Sequence, residues 1–392
     1  MSQKLINLSP DLKSLQDEGY EIEIQFGFLL IYHIPYVNTA KNICYGTLAC
    51  QLNLATNVRT AKPNTHVIYF QGEHPCDKNG NVIQSISHTS SNLTLFNNFV
   101  VNHSFSNKPE NGYNNYFELV TRYIDIISAN AKSINDRVTE KTFKVIVDDD
   151  TKSVFKYIDS NSSRASINSI SEKLQEEKIG IVGLGGTGAY LLDFIAKSPV
   201  KEIRLFDGDI FLQHNAFRSP GAASLEMLDK QISKVEYYKL IYSNIHRNII
   251  GYNEFITTEN LKLLDELTCV FISIDKGSVK KFLMEYLLGQ SIKFIDVGMG
   301  INRVDDSLLG TIRVTTVTNL KNDHLSRRIS VTDDKDDEYN TNIQIAELNA
   351  LNASLAIIKW KKLCGFYNDL ENEHNTTYSI NVSQLLNDEI TA

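Results

Sequence analysis

Two kinds of hydrophobic pattern occupy the chain, and one gives way to the other before its middle. Residues 9–20, SPDLKSLQDEGY, open with Ser-Pro and close on Gly19, which predicts a short helix. Three runs rich in β-branched and aromatic residues follow: EIEIQFGFLLIYHI at 21–34, ICYGTLACQLNLA at 43–55 and HVIYF at 66–70. Each predicts strand. GEHPCDKNGN at 72–81 is dense in turn formers, and Asn79-Gly80 is a tight-turn pair. YFELVTRYIDIISANAKSI at 116–134 carries apolar residues at helical spacing. The order is helix, three or four strands, helix: a smaller α+β domain over residues 1–150.

Residues 144–168, KVIVDDDTKSVFKYIDSNSSRASIN, hold an acidic triplet and a Ser-rich polar stretch, and the domain boundary belongs here. A linker and helix are expected over 151–177. From residue 178 strands and helices alternate. KIGIVG is a continuous apolar strand and GTGAYLLDFIAKS its helix. EIRLFD is the next strand, and one long helix is expected over LEMLDKQISKVEYYKLIYSNI at 225–245. CVFISID, VKKFLMEYLLGQ and IKFIDVG complete a strand-helix-strand unit. Such alternation predicts a doubly wound, Rossmann-like α/β domain over 178–392. A last amphipathic helix, IQIAELNALNASLAIIKWKKLCGFY, suits packing inside the domain or against a second copy.

Composition narrows the function classes. The 392 residues are 42% hydrophobic and 22% charged, as in ordinary globular proteins. A net charge of −8 and the lack of a basic run argue against a nucleic-acid partner. The longest apolar runs are far too short to span a membrane, and the first 23 residues lack the apolar stretch of a signal peptide. Five cysteines with no Cys-x-x-Cys pair fit a reducing interior, so the cytoplasm is expected.

The chemistry begins at residue 183. Gly183, Gly185, Gly186 and Gly188 sit between a buried strand and a helix, where glycines let backbone N–H groups meet a phosphate. Alone this pattern is weak, because glycines also ease helix-strand packing. Asp207 ends the second strand, where an acidic residue takes a ribose hydroxyl in dinucleotide folds. Beyond it come Asp209, Asn215, Arg218, Lys234 and, at a strand end, Asp275. Hydride transfer has no use for cations converging on a phosphate chain. Cleavage of ATP between its α and β phosphates does, since charge grows on the departing pyrophosphate. An aspartate at a strand's end suits a magnesium ion bridging phosphates. Each residue also has an ordinary alternative: a solvated charge for Arg218 or Lys234, a helix cap for Asn215 or Asp275.

This series, GLGGTG, LFDGD, HNAFR, SKV and ISID, resembles the adenylation domain of ubiquitin-activating enzymes and their bacterial relatives ThiF and MoeB, over roughly residues 178–315. The resemblance implies that Gly185 and Gly188 face the nucleotide and that Asp207 holds the ribose. It implies further that Asn215, Arg218 and Lys234 hold the triphosphate, Arg218, Lys234 and Asp275 being the catalytic set. Asp275 would bind Mg²⁺. The implied reaction joins the C-terminal glycine of a ubiquitin-like protein to AMP, with ATP and Mg²⁺ as cofactors. Related dimers insert an arginine from just before the first strand into the neighbour's site, and Arg164 has that location. A homodimer and a partner conjugating enzyme are implied in the same way.

Many relatives pass the adenylate to a cysteine in a crossover loop. Here that loop is expected near 313–342 and contains none. Cys269 falls in a strand and Cys364 on the last helix, both better read as core. Three routes stay open: direct hand-off of the adenylate, an oxyester on Thr315, Thr316, Thr318, Ser326 or Ser330 with help from His324 beside Asp323, or an inactive scaffold.

KPNTHVIYFQGEHPCDKNGNVI at 62–83 resembles the middle of a ubiquitin-conjugating enzyme, with Val82 and Ile83 where the catalytic cysteine is expected and Cys76 displaced into the His-Pro turn. A catalytically dead relative of that fold, or an unrelated α+β domain, accounts for the pattern. The leading expectation is an activating enzyme of a bacterial-type ubiquitin-like conjugation pathway. The rivals are a non-catalytic scaffold, a sulfur-carrier adenylyltransferase and, more distantly, an NAD dehydrogenase.

Overall fold

A computed structural model describes residues 2–56, 58–146, 153–165, 167–333 and 343–390. The chain forms two compact units, Met1–Glu172 and Lys173–Ala392.

The first unit begins with helices α1 (Ser2–Leu8) and α2 (Pro10–Asp17). Strands β1 (Ile22–Gln25), β2 (Phe28–Val37) and β3 (Ile43–Gln51) follow as a meander. A small hairpin of β4 (Leu54–Thr56) and β5 (Arg59–Thr60) comes next, then β6 (Val67–Gln71), β7 (Ser87–Phe96) and β8 (Phe99–Ser106). The six-stranded sheet has the order β1-β2-β3-β6-β8-β7, every neighbouring pair antiparallel. Helix α3 (Tyr116–Ile134) lies on it through Leu119, Val120, Tyr123, Ile124 and Ile127, all buried in one cluster with the strands. Asn115 caps the helix, its side chain accepting from the Glu118 N–H. Short helices α4 (Ser160–Arg164) and α5 (Asn168–Ser171) end the unit. Strand β7 of the β7–β8 hairpin carries little strand signal in the sequence. SHTSSNLTLF is exposed along its first eight positions, and a solvent-facing edge strand needs no apolar alternation.

The second unit is the doubly wound half. Strand β9 (Lys178–Val182) leads into α6 (Gly186–Ile195), then β10 (Glu202–Phe206), α7 (Gln213–Ala216), α8 (Leu225–Asp229), α9 (Lys234–Tyr242) and β11 (Ile249–Tyr252). Strand β12 (Cys269–Ile272), α10 (Gly277–Gly289), β13 (Lys293–Val304), β14 (Ser307–Val317), α11 (Leu325–Arg328), α12 (Ala346–Leu363), β15 (Glu373–Ser379) and β16 (Gln384–Ile390) complete it. The eight strands run β11-β10-β9-β12-β13-β14-β15-β16; the first five are parallel and β14 to β16 antiparallel. The order reverses between β9 and β12. That is the switch point where open α/β sheets bind ligands, outside the carboxyl ends of the strands.

Two expectations change. The single helix expected over 225–245 is two helices, because Ser233 caps α9 by accepting from the Glu236 N–H, and Gln231 just before it has φ +47°. The segment expected as a crossover loop from residue 313 is strand as far as Val317, since TIRVTTV pairs antiparallel with β13 and its last four residues are buried. Residues 334–342 of that segment lie outside the described residues. The core on one side of this sheet gathers α6, α9 and α12 around Trp360, whose indole N–H donates to Glu177.

Candidate active site

Strands β9 and β12 flank the switch point, and the candidate residues follow their carboxyl ends and that of β10. Gly183 leaves β9 with φ +90°, a conformation that favours glycine, and a side chain there would overlap the Ser273 carbonyl. Its N–H donates to the Phe206 carbonyl at 2.9 Å. The four glycines divide the work. The open side of Gly188 is closed by the Gly183 carbonyl, which brings helix and strand together, whereas that of Gly185 meets nothing within 4 Å. Gly185 caps α6, so the helix N-terminus opens toward free space at this residue.

Asp207, buried at the end of β10, holds the loop. Its Oδ2 accepts from the Leu184 N–H at 2.7 Å and its Oδ1 from the Asp209 N–H at 2.8 Å. Lys234 reaches the same place from the first turn of α9, because Ile210 bridges Ser233 and the Lys234 N–H donates to the Asp209 carbonyl at 2.9 Å. Its Nζ lies 2.6 Å from Asp209 Oδ2 and 3.5 Å from Asp207 Oδ1. The Lys234 ammonium is buried while the Asp209 carboxylate is half exposed. Tyr238, one turn along α9, is fully buried; burial pushes its phenol well above the usual range, and the Asp207 charge adds to this.

Asn215 and Arg218 sit on α7 and just after it. Asn215 Oδ1 accepts from the Leu212 N–H at 2.9 Å, so the ordinary capping role is real for half of the amide. Its Nδ2 is buried and has no hydrogen-bond partner among the described residues, and the same is true of Arg218 Nε. Two buried N–H donors without acceptors, three residues apart, are costly unless an anion meets them.

Asp275 follows β12, exposed, with no hydrogen bond or ion pair among the described residues. It does not cap α10: the cap position is Lys276, and the Ser278 N–H is met by Asp333 at 3.0 Å. Hydrogen bonding from the Ser278 side chain, and then from its main chain, holds the Asp333 carboxyl below its ordinary value. Arg164 is the last residue of α4, and its side chain lies outside the described part of the structure.

Sequence reasoning missed one charged cluster. Asp296, on β13 across from Ile272, is fully buried between Lys280, 2.8 Å from its Oδ1, and Arg313. Arg313 also reaches Thr315, whose Oγ1 donates to Asn375 Oδ1 at 2.7 Å. An aspartate inside an apolar run, FIDVG, was the available signal.

The hydroxyls and thiols of this half are mostly enclosed. Thr315 and Thr316 are buried in β14; Ser326 and Ser330 are exposed. His324 is fully buried with Nε2 against the Thr316 carbonyl at 3.0 Å, and burial lowers its pKa. Cys269 is fully buried, and its thiol is pushed far up by that burial; the Cys364 thiol is pushed up to about 12, by burial and by Glu177. In the first unit Cys76 is buried, bridging Val37 and Val82, and burial with Asp77 and Glu73 raises its thiol pKa. No helix of the described residues is long and apolar enough to cross a membrane.

A glycine turn at the switch point, a buried aspartate-lysine pair and two unpartnered N–H donors therefore belong to one doubly wound α/β domain. Residues 161–302 match the ThiF family, and this part of the chain is a ThiF family domain. Residues 10–160 match a domain of unknown function, DUF6791. No curated protein matches the chain. Among solved structures, PaaA is similar at 19% identity, covering 57% of this chain and 75% of that one, with a TM-score of 0.44. E. coli MccB with MccA-N7isoASN is similar at 17% identity, covering 58% and 70%, with a TM-score of 0.48. E. coli MccB with ATP is similar at 18% identity, covering 58% and 70%, with a TM-score of 0.46.

Proposed function

We propose that the second unit binds ATP at the switch point and adenylates the C-terminal glycine carboxylate of a ubiquitin-like protein. A carboxylate oxygen attacks the α-phosphorus, the bond from that phosphorus to the bridging oxygen breaks, and its electron pair leaves with pyrophosphate. The product is an acyl-adenylate. The observation that carries this reading is the pair of buried, unpartnered donors, Asn215 Nδ2 and Arg218 Nε. They fit the oxygens of a phosphate chain. Lys234, held by Asp207 and Asp209 just past the end of β10, adds a cation, and the open side of Gly185 leaves room for phosphate at the α6 N-terminus.

Magnesium belongs to the proposal. Among the described residues no group of three or more His, Cys, Asp or Glu could hold a metal by itself. One free carboxylate, Asp275, fits an ion that takes its other ligands from phosphates and water. When bound, that ion would neutralise charge on the phosphate chain.

Hand-off of the adenylate to a separate nucleophile is the version we favour. Neither cysteine of this unit is exposed, and both thiols are held protonated. The first unit would then recruit the ubiquitin-like protein or a conjugating enzyme. A homodimer also belongs to the proposal. Phe217 and Leu225, 79% and 76% exposed and close in sequence to Arg218, are apolar surface that a second copy would cover.

ATP–pyrophosphate exchange tests the reading, with a ubiquitin-like protein ending in glycine supplied as acceptor. Exchange that requires the acceptor and disappears in Arg218→Ala is the expected result. Exchange unchanged in Arg218→Ala, or absent with every such acceptor, contradicts it.

A further inference from the structure

Asn349 lies in the first turn of α12, beyond the residues matched to the ThiF family, and is fully buried. Its Oδ1 accepts from the Thr187 hydroxyl at 2.8 Å. Its Nδ2 donates to the main-chain carbonyl of Arg218 at 3.2 Å. The same amide fills the space that a side chain on Gly186 would need. Gly186 and Thr187 are the first two residues of α6. One side chain therefore fastens the helix start behind the glycine loop to the backbone that carries Arg218, from 162 and 131 residues away in sequence.

Few side chains could do this. The position needs an acceptor toward Thr187 and a donor toward a carbonyl on one planar head small enough to lie against Gly186, and an amide offers both where an imidazole ring is larger. Aspartate keeps the acceptor and loses the donor; leucine loses both. Glutamine is longer by one methylene, in a place already filled against Gly186. Phosphate recognition by two separate segments depends on the distance between them, and misplacement by ~1 Å can cost on the order of 100-fold in rate.

We infer that Asn349 is a positioning residue for the nucleotide, setting where Arg218 stands relative to the α6 N-terminus. This rests on the ATP reading above.

The test is titration calorimetry of magnesium-ATP into the full-length chain: wild type, Asn349→Asp, Arg218→Ala and the double variant. Asn349→Asp is expected to weaken binding about tenfold or more, the scale of a lost buried hydrogen bond plus a repelled carbonyl. In the Arg218→Ala background its further effect is expected to fall below about threefold, since the group it positions is gone. Thermal unfolding without ATP should shift by the same amount in both backgrounds. A merely structural asparagine would lower stability and leave the affinity of folded protein unchanged. Wild-type affinity in Asn349→Asp, or its full loss persisting beside Arg218→Ala, overturns the assignment. Should Asn349→Asp not fold, Thr187→Val cuts the same link from the other side and carries the same expectations. A wild-type chain that binds no magnesium-ATP would instead overturn the functional reading beneath it.

Discussion

The Lys234 ammonium stands 2.6 Å from the Asp209 carboxylate and 3.5 Å from that of Asp207, so one buried cation answers two acidic groups of the same turn. Its partners are not equivalent. Asp207 is buried and pins the glycine loop through the Leu184 N–H, whereas Asp209 is half exposed. Removing one member of a buried pair costs ~3–5 kcal/mol, while an exposed member is worth ~0–1 kcal/mol. Lys234→Met is therefore expected to lower the melting temperature strongly as well as abolish ATP binding. Asp209→Asn should leave the melting temperature within a few degrees. Circular-dichroism melts of the two variants check this; equal, small shifts would show that the pair is not buried as described.

Gly183 and Gly185 separate folding from binding. Alanine at Gly183 would need φ +90° and would overlap the Ser273 carbonyl, so Gly183→Ala is expected to destabilise the unit. Gly185 has φ −69° and nothing within 4 Å of a side chain's position, so Gly185→Ala should melt like wild type yet weaken ATP binding. Melting and ATP titration on both variants decide it. A Gly185→Ala protein that binds ATP as well as wild type would mean that the open side is not where phosphate sits.

The doubly wound order was legible because buried parallel strands are continuous apolar runs, and KIGIVG, EIRLFD and CVFISID each became a strand of that kind. Helix α3 was legible to the residue, since its apolar spacing and Asn115 cap agree. What was hidden has physical causes. The Ser233-x-x-Glu236 cap that splits the long helix, and so delivers Lys234 to the turn, was obscured by helical spacing on either side of it. Strands β7 and β16 are exposed edges with little alternation. Asn349 had no signal at all, because an asparagine in an amphipathic helix reads as surface.

Cys76 stands near His74 and Asp77 in the sequence, polar neighbours of a kind that can activate a thiol. The structure buries it, its Sγ donating to the His74 carbonyl at 3.2 Å, with its thiol pKa raised. Native protein at pH 7 is expected to leave Cys76 unalkylated by iodoacetamide until denaturant is added, and Cys76→Ser should keep full exchange activity. Mass spectrometry of the tryptic peptide reads the first outcome. Rapid native alkylation would restore the cysteine as a candidate nucleophile.

Glu373 gives the second unit an acid-sensitive contact. Burial alone would raise its carboxyl, but hydrogen bonds from Lys362 and Lys359 and its own main chain outweigh this and hold it near 2, against an ordinary 4.5. The folded value lies below the unfolded one, so its stabilisation is complete above about pH 4.5 and is lost as the pH falls toward 2. The melting-temperature gap between wild type and Glu373→Gln should be largest at neutral pH and close over that acid range. A gap that stays constant down to pH 3 would contradict the assignment.

The central claim is that Asn215 and Arg218 keep donors free for the phosphates of ATP. Titrating magnesium-ATP and NAD separately into wild type and Arg218→Ala, by calorimetry at one ionic strength, tests it most directly. Wild type should bind ATP and not NAD, and Arg218→Ala should lose roughly 10- to 100-fold in ATP affinity, as a charged hydrogen-bond donor is worth. Saturable NAD binding, or equal ATP affinity in the two proteins, would contradict it.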